Sequence, residues 1–249
     1  MPTLNNPPAR KSTLLCYVTD RRSFPAADTS QQLSALLQKI EELAAAGIDW
    51  IQIREKDLSA RDLAALTRQA LQITARHSPQ TLRTRILVND RLDVAIAERA
   101  AGVHLGEQSL PVADARRLIQ SAQAQNLLPQ DFLLGVSCHS VEAAKAAQAA
   151  SADYLFFGPI FATPLKEKFG PPQGIQRLRD VCRLVSLPVF AIGGITSDNA
   201  KSCIEAGAAG LAAIRLFQGA QDLRITLEQL HRLPTGSHQQ PPADRSPFR

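Results

Sequence analysis

From residue 14 to residue 217 the chain alternates short apolar runs with longer stretches whose apolar positions recur every three or four residues. The short runs are LLCYVTD (14–20), DWIQIREK (49–56), RILVND (85–90), GVHLG (102–106), FLLGVSCH (132–139), DYLFFGPIF (153–161), LPVFAIGG (187–194) and GLAAIRLF (210–217). Runs of this length, rich in β-branched and aromatic residues and bounded by turn formers, predict strands. The stretches between them, such as SQQLSALLQKIEELAAAG (30–47), SARDLAALTRQALQITARH (59–77) and SVEAAKAAQAAS (140–151), have helical period. They open on Ser as a cap, and the first closes on Gly47. Strand then helix, eight times in about 220 residues, predicts an α/β protein of one domain, a (β/α)8 TIM barrel. The competing fold is an open doubly wound sheet. Its dinucleotide fingerprint after the first strand is absent, since YVTDRRSFP contains no glycine.

Residues 1–13 are polar and Pro-rich, and residues 234–249 (PTGSHQQPPADRSPFR) offer little to bury, so both are expected to be disordered extensions of a barrel spanning 14–233. Of the 249 residues, 45% are hydrophobic and 20% charged, enough apolar material for one large core. The net charge of +5 is spread along the chain without a basic run, and aromatic residues are few. A nucleic-acid footprint needs clustering, so no such partner is expected, and anionic small molecules suit the charge better. Cys16, Cys138, Cys182 and Cys203 form no C-x-x-C pair, which argues against a zinc site or a disulfide framework and for buried thiols in a reducing cytoplasm. MPTLNNPPARKST lacks an apolar signal core and no apolar run approaches about 18 residues, so a cytoplasmic protein without a membrane partner is expected. A homo-oligomer is compatible with the sequence, which does not fix the oligomeric state.

In a barrel of this kind the chemistry lies at the C-terminal ends of the strands. Strand 2 ends IQIREK. Side chains alternate along a strand, so Gln52, Arg54 and Lys56 share the inward face while Ile51 and Ile53 face the helices. Two cations and an amide at the mouth need partners, either protein carboxylates or an anionic ligand. Strand 3 ends with Asn89 and Asp90, placing a carboxylate where a hard cation such as Mg²⁺ is held together with phosphate oxygens; capping of the next helix is the alternative use of Asp90. The loop FGPIFATPLKEKFGPPQG carries Thr163, Lys166 and Lys168 and reads as a lid, with Lys166 over phosphate or simply solvated. Strand 7 ends AIGGIT, whose paired glycines free backbone N–H groups to approach an anion, and strand 8 ends AAIRLF with Arg215 nearby. Two anion pockets follow, one at strands 2, 3 and 6 and one at strands 7 and 8.

Taken in order, Y-x-T-D, Q-x-R-E-K, N-D-R, G-V-H-L-G, G-V-S-x-H-S, D-Y-x-x-x-G-P-I-F-x-T-P-x-K and A-I-G-G-I-T resemble the motifs of the thiamine-phosphate synthase and thiazole tautomerase family over roughly residues 14–218. The resemblance implies a transferase that joins 4-amino-2-methyl-5-diphosphomethylpyrimidine to a thiazole phosphate and releases pyrophosphate. It implies that Gln52, Arg54, Lys56, Asn89, Ser137 and Lys166 hold the pyrimidine diphosphate and that Asp90 binds Mg²⁺. Thr163, Gly194 and the Ile214–Arg215 backbone match the thiazole phosphate site.

The chain departs from the synthase pattern in places. Ser109 stands where a second magnesium-binding Asp is usual, with Glu107 and Gln108 beside it, and is the weaker metal-ligand candidate. Leu165 replaces a hydroxyl residue, and Arg215 replaces a small one. The resemblance leaves two alternatives. A thiazole tautomerase would use His139 in SCHS as acid and base, since imidazole titrates near neutrality. A non-catalytic barrel binding a thiamine precursor is the other.

Overall fold

The computed structural model describes residues 12–25, 28–77, 84–162 and 171–234. Eight parallel strands, β1 (Leu14–Val18), β2 (Trp50–Ile53), β3 (Arg85–Asn89), β4 (Gly102–Leu105), β5 (Leu133–Cys138), β6 (Tyr154–Phe157), β7 (Val189–Ile192) and β8 (Gly210–Ala213), pair in chain order. The ladder from Leu14↔Gly210 to Tyr17↔Ala213 joins the first strand to the last, which closes the barrel and excludes the open sheet. Outside lie α1 (Thr29–Ala46), α2 (Ala60–His77), α3 (Leu92–Ala97), α4 (Val112–Ala124), α5 (Val141–Ala149), α6 (Gly174–Leu184), α7 (Ser197–Glu205), the short α8 (Arg215–Gln218) and α9 (Leu223–His231).

The strands are shorter than the apolar runs that predict them, because each run continues into the loop at its C-terminal end. The difference matters most at β8. Ile214 turns to helical dihedrals (φ −96°, ψ −71°) and its carbonyl accepts from Phe217 N and Gln218 N, so Arg215 opens α8 as an exposed residue instead of ending the strand. Helix α1 also starts earlier than its serine suggests. Asp28 caps it by accepting from Gln31 N at 2.9 Å, and a carboxylate there also meets the positive end of the helix dipole. Its other end is as expected: Gly47 adopts φ 88°, which lets its N–H return to the last turn.

Strand parity divides the apolar residues into two cores. Outward positions such as Leu15, Tyr17, Ile51, Ile53, Val103 and Phe157 pack against the helices. Inward positions Cys16, Val18, Leu87, Tyr154, Phe156, Phe190 and Ala212 fill the barrel, with Trp50 against them. Trp50 stacks on Phe190 at 4.7 Å between centroids and meets Tyr154 edge-on at 4.8 Å. Each such ring contributes about 1.5–3 kcal/mol by leaving water, and together they plug the barrel axis. Gly135 makes this packing possible, since a Cβ there would lie 2.0 Å from Tyr154 Cζ. Gly135→Ala is therefore expected to lower stability by about 1–3 kcal/mol in urea unfolding, the usual cost of overpacking, where an exposed Gly→Ala change is close to neutral.

Candidate active site

Above the aromatic plug, the inward positions of four consecutive strands are polar. Gln52 on β2, Asn89 on β3, His104 on β4 and Ser137 on β5 form one wall of the mouth. The facing wall, from β6 round to β1, presents Phe156, Ile192, Ile214 and Val18, all apolar. The mouth thus has a hydrogen-bonding side and a greasy side.

On the polar wall, Gln52 Nε2 donates to Asn89 Oδ1 at 3.0 Å, and Asn89 Nδ2 donates to Asp90 Oδ2 at 2.8 Å. A carboxylate only accepts, so Asp90 fixes the direction of this chain. Asn89 must turn its NH₂ to Asp90 and its carbonyl to Gln52, which leaves the Gln52 carbonyl oxygen as the remaining acceptor. Asp90 sits at φ 61°, a left-handed conformation uncommon outside glycine, which turns its carboxylate towards β4 instead of over α3 as a cap. There its Oδ1 accepts from Gly106 N at 3.1 Å and from the Ser109 hydroxyl. Burial pushes the Asp90 carboxyl up, but Ser109, Gly106 and Lys56 outweigh it and hold the group below the usual carboxylate range.

Lys56 Nζ lies 3.9 Å from Asp90 Oδ2 with its side chain 60% exposed, a loose pairing that leaves the ammonium able to swing to a ligand. Arg54 is half-buried, and among the described residues its guanidinium has no hydrogen-bond or ion-pair partner. A guanidinium in that state is prepared for a bidentate anion.

What holds Arg54 in place is a buried ionic cluster that the sequence reading missed. Glu55 has the opposite strand parity and lies behind the wall. It accepts from Thr19 Oγ1 at 2.6 Å and from Arg21 Nη1 at 2.9 Å, while Thr19 Oγ1 accepts from Arg54 N at 2.8 Å. Arg21 also donates from Nη1 to Asp57 Oδ1 at 2.7 Å and from Nη2 to Asp57 Oδ2. Its hydrogen bonds, with Arg22 nearby, hold the Asp57 carboxyl far below its ordinary range. The alternation of β2 was the available signal, because it assigns Glu55 to the face away from Arg54 and so to a structural partner.

His104 was also missed, although parity places it inside the barrel. It is fully buried, which pushes its imidazole down to about 3 despite the opposing Asp90 charge, so it is neutral at ordinary pH. Its Nε2 is 2.9 Å from Ser137 Oγ and its Nδ1 3.1 Å from Tyr154 Oη. His139 is half-buried at the end of β5 with Nδ1 against Gly158 O, so Nδ1–H donates and Nε2 is the atom left for chemistry.

Across the mouth, Gly193 and Gly194 take φ 95° and φ 69° just before α7. A Cβ on Gly194 would lie 2.7 Å from that of Phe161, so this turn needs glycine. Asn199 braces it by donating to Gly194 O at 2.9 Å and accepting from Thr196 N at 2.8 Å. Ile214 follows β8 beside it, and α8 is the short extra helix that often accompanies a phosphate site after strands 7 and 8. Thr163 and Lys166 lie outside the described residues.

Among the described residues no three His, Cys, Asp or Glu side chains gather as a metal cluster. The donor set has one carboxylate, Asp90, whose two oxygens already meet four donors. Ser109 is committed as well, accepting from Gly106 N at 2.7 Å while donating to Asp90. These residues fit a magnesium ion that arrives with phosphate ligands and touches one carboxylate; they do not fit a protein-only cage.

A (β/α)8 barrel whose polar and cationic side chains gather at the C-terminal mouth of its strands is the class this arrangement defines. A family model described as thiamine monophosphate synthase matches residues 15–217, and the chain belongs to that family. Thiamine-phosphate synthase of Roseiflexus sp. (strain RS-1) is 38% identical over 88% of this chain and 84% of its own length. That of Methanoculleus marisnigri is 43% identical over 75% and 82%. Among solved structures, thiamine phosphate pyrophosphorylase from Pyrococcus furiosus superposes with a TM-score of 0.71 at 30% identity, covering 90% of this chain and 96% of that one.

Proposed function

We propose that this chain acts as a thiamine-phosphate synthase, joining 4-amino-2-methyl-5-diphosphomethylpyrimidine to a thiazole phosphate with release of pyrophosphate. The observation that carries the reading is the half-buried Arg54 guanidinium, without a hydrogen-bond or ion-pair partner among the described residues, beside the Gln52–Asn89–Asp90 chain. The difficult step is loss of pyrophosphate from the pyrimidine methylene carbon: the C–O bond breaks, both electrons leave with the diphosphate, and a carbocation remains for the thiazole nitrogen to attack. Charge develops on the leaving oxygens, so fixed cations there act more strongly in the transition state than in the ground state. Arg54 and Lys56 supply them from β2, and Lys166 joins them by its motif. Gln52, Asn89 and Ser137 orient the pyrimidine diphosphate, and Gly194, Thr163 and the Ile214–Arg215 backbone receive the thiazole phosphate. No general base is needed for ionisation, which leaves His139 at the rim.

Asp90 is the residue that would hold Mg²⁺ carried in on the diphosphate. When bound, the ion would neutralise charge on the leaving pyrophosphate. A cytoplasmic setting belongs to the same reading, supported by the burial of Cys16, Cys138, Cys182 and Cys203 as thiols. No helix of the described residues is long and apolar enough to cross a membrane.

Incubating both phosphorylated precursors with the protein should yield thiamine phosphate and pyrophosphate. If the protein instead isomerises a thiazole carboxylate phosphate, and His139→Ala abolishes that, the tautomerase assignment replaces this one. Calorimetry with pyrophosphate and magnesium is expected to show binding that weakens about tenfold or more in Asp90→Ala. Unchanged binding would remove Asp90 from the metal.

A further inference from the structure

The hydrogen bonds beneath Ser137 have a direction that its distances alone do not show. Tyr154 Oη lies inside the barrel with its residue 1% exposed, surrounded by Trp50, Phe156 and Phe190 and pressed over Gly135. Among the described residues its hydrogen-bond partner is His104 Nδ1. A hydroxyl carries one proton, and a buried donor left unmade is worse than an unused acceptor lone pair, so Tyr154 donates to Nδ1. Accepting that proton leaves Nδ1 without one of its own, so the His104 ring is held as a neutral imidazole by this contact.

A neutral imidazole that accepts at Nδ1 carries its proton on Nε2. That proton is therefore donated to Ser137 Oγ, 2.9 Å away. Ser137 has then received one hydrogen bond from below, and its own hydroxyl proton has to point elsewhere. The half-exposed side of Ser137 is the mouth, on the wall shared with Gln52, Asn89 and Arg54. We propose that Tyr154 and His104 are positioning residues that keep the Ser137 hydroxyl proton off the His104 ring and so present it as a hydrogen-bond donor towards an anionic or lone-pair-bearing substrate atom. The polarity follows from the buried relay; that the recipient is a diphosphate oxygen rests on the function proposed above.

Two measurements test it, both on the full chain. Nitrogen NMR of protein labelled at histidine should show one imidazole that stays neutral from about pH 5 to about pH 8 and is protonated at Nε2. Finding Nδ1–H on that ring overturns the proposal, whatever the enzyme turns out to catalyse. Binding of inorganic pyrophosphate should weaken roughly 10-fold in Ser137→Ala, the scale of one hydrogen bond to a charged group. Tyr154→Phe removes a single oxygen from a fully packed ring and should weaken binding several-fold by releasing the tautomer, with unfolding still cooperative. In the Ser137→Ala background Tyr154→Phe should add nothing. Independent, multiplicative losses would show that Tyr154 acts through general packing, and would overturn its positioning role. Failure of thiamine phosphate synthesis with the Nε2–H tautomer intact would instead indict the function.

Discussion

Arg54→Ala is expected to lower kcat/KM for the pyrimidine diphosphate by about 10²–10³, the scale observed when one pre-aimed donor is removed from a developing anion. The reason lies in its state without ligand. Lys56 already has Asp90 within 3.9 Å and stands largely in solvent, so its net gain on meeting a phosphate is small. Arg54 gives up no side-chain partner among the described residues and its backbone N–H is held on Thr19, so its attraction goes to the ligand with little reorganisation. Arg54→Lys keeps the charge but not the planar fork, and should recover only part of the loss. A steady-state comparison of the three forms checks this. Equal activity of Ala and Arg enzymes would place the leaving group elsewhere.

Glu55→Ala should be the most destabilising single change at the mouth, by about 1–3 kcal/mol in urea unfolding, because it takes away the buried acceptor shared by Thr19 and Arg21 and leaves Arg21 only the more exposed Asp57. Both side chains of the Arg21–Glu55 pair are nearly inaccessible, at 4% and 2% exposure, and Arg21 Nε lacks a hydrogen-bond partner among the described residues. Glu55→Gln, which can still accept from Thr19, should do less harm. Asp57 adds a pH dependence. Its carboxyl is depressed in the folded protein, so its stabilisation is present above the ordinary carboxylate pKa and fades as the pH falls through the acid range. Urea midpoints at neutral and acid pH would show it.

How much of this could be read in the chain depended on whether strand parity or loop geometry decided the outcome. The period-2 and period-3.6 segments specified the barrel, and alternation placed Ile51 and Ile53 outside, in the core against the helices, and Gln52 inside, where it donates to Asn89. The same rule, carried one residue further, places Glu55 behind the wall and His104 within it. Their roles are harder to read because nothing local in the sequence separates a buried Glu or His from one that faces solvent. Arg215 misled for a different reason. GLAAIRLF is apolar throughout, so nothing local marks the turn at Ile214 where the chain leaves β8 for α8. The Ser109–Asp90 contact is likewise a tertiary fact, made by residues 19 positions apart.

The aromatic plug has one more consequence. Trp50, Tyr154, Phe156 and Phe190 pack ring against ring inside the barrel, which makes its interior a filled core instead of a pore. Two substrates and two products must therefore share a single doorway, and traffic through it is ordered by geometry. On the proposed assignment, a pyrophosphate still seated on Arg54 would stand in the path of the next pyrimidine diphosphate, while the thiazole side of the vestibule could refill. The released diphosphate is thus expected to compete with one substrate and not the other, a queue imposed by the floor of the room and not by its walls.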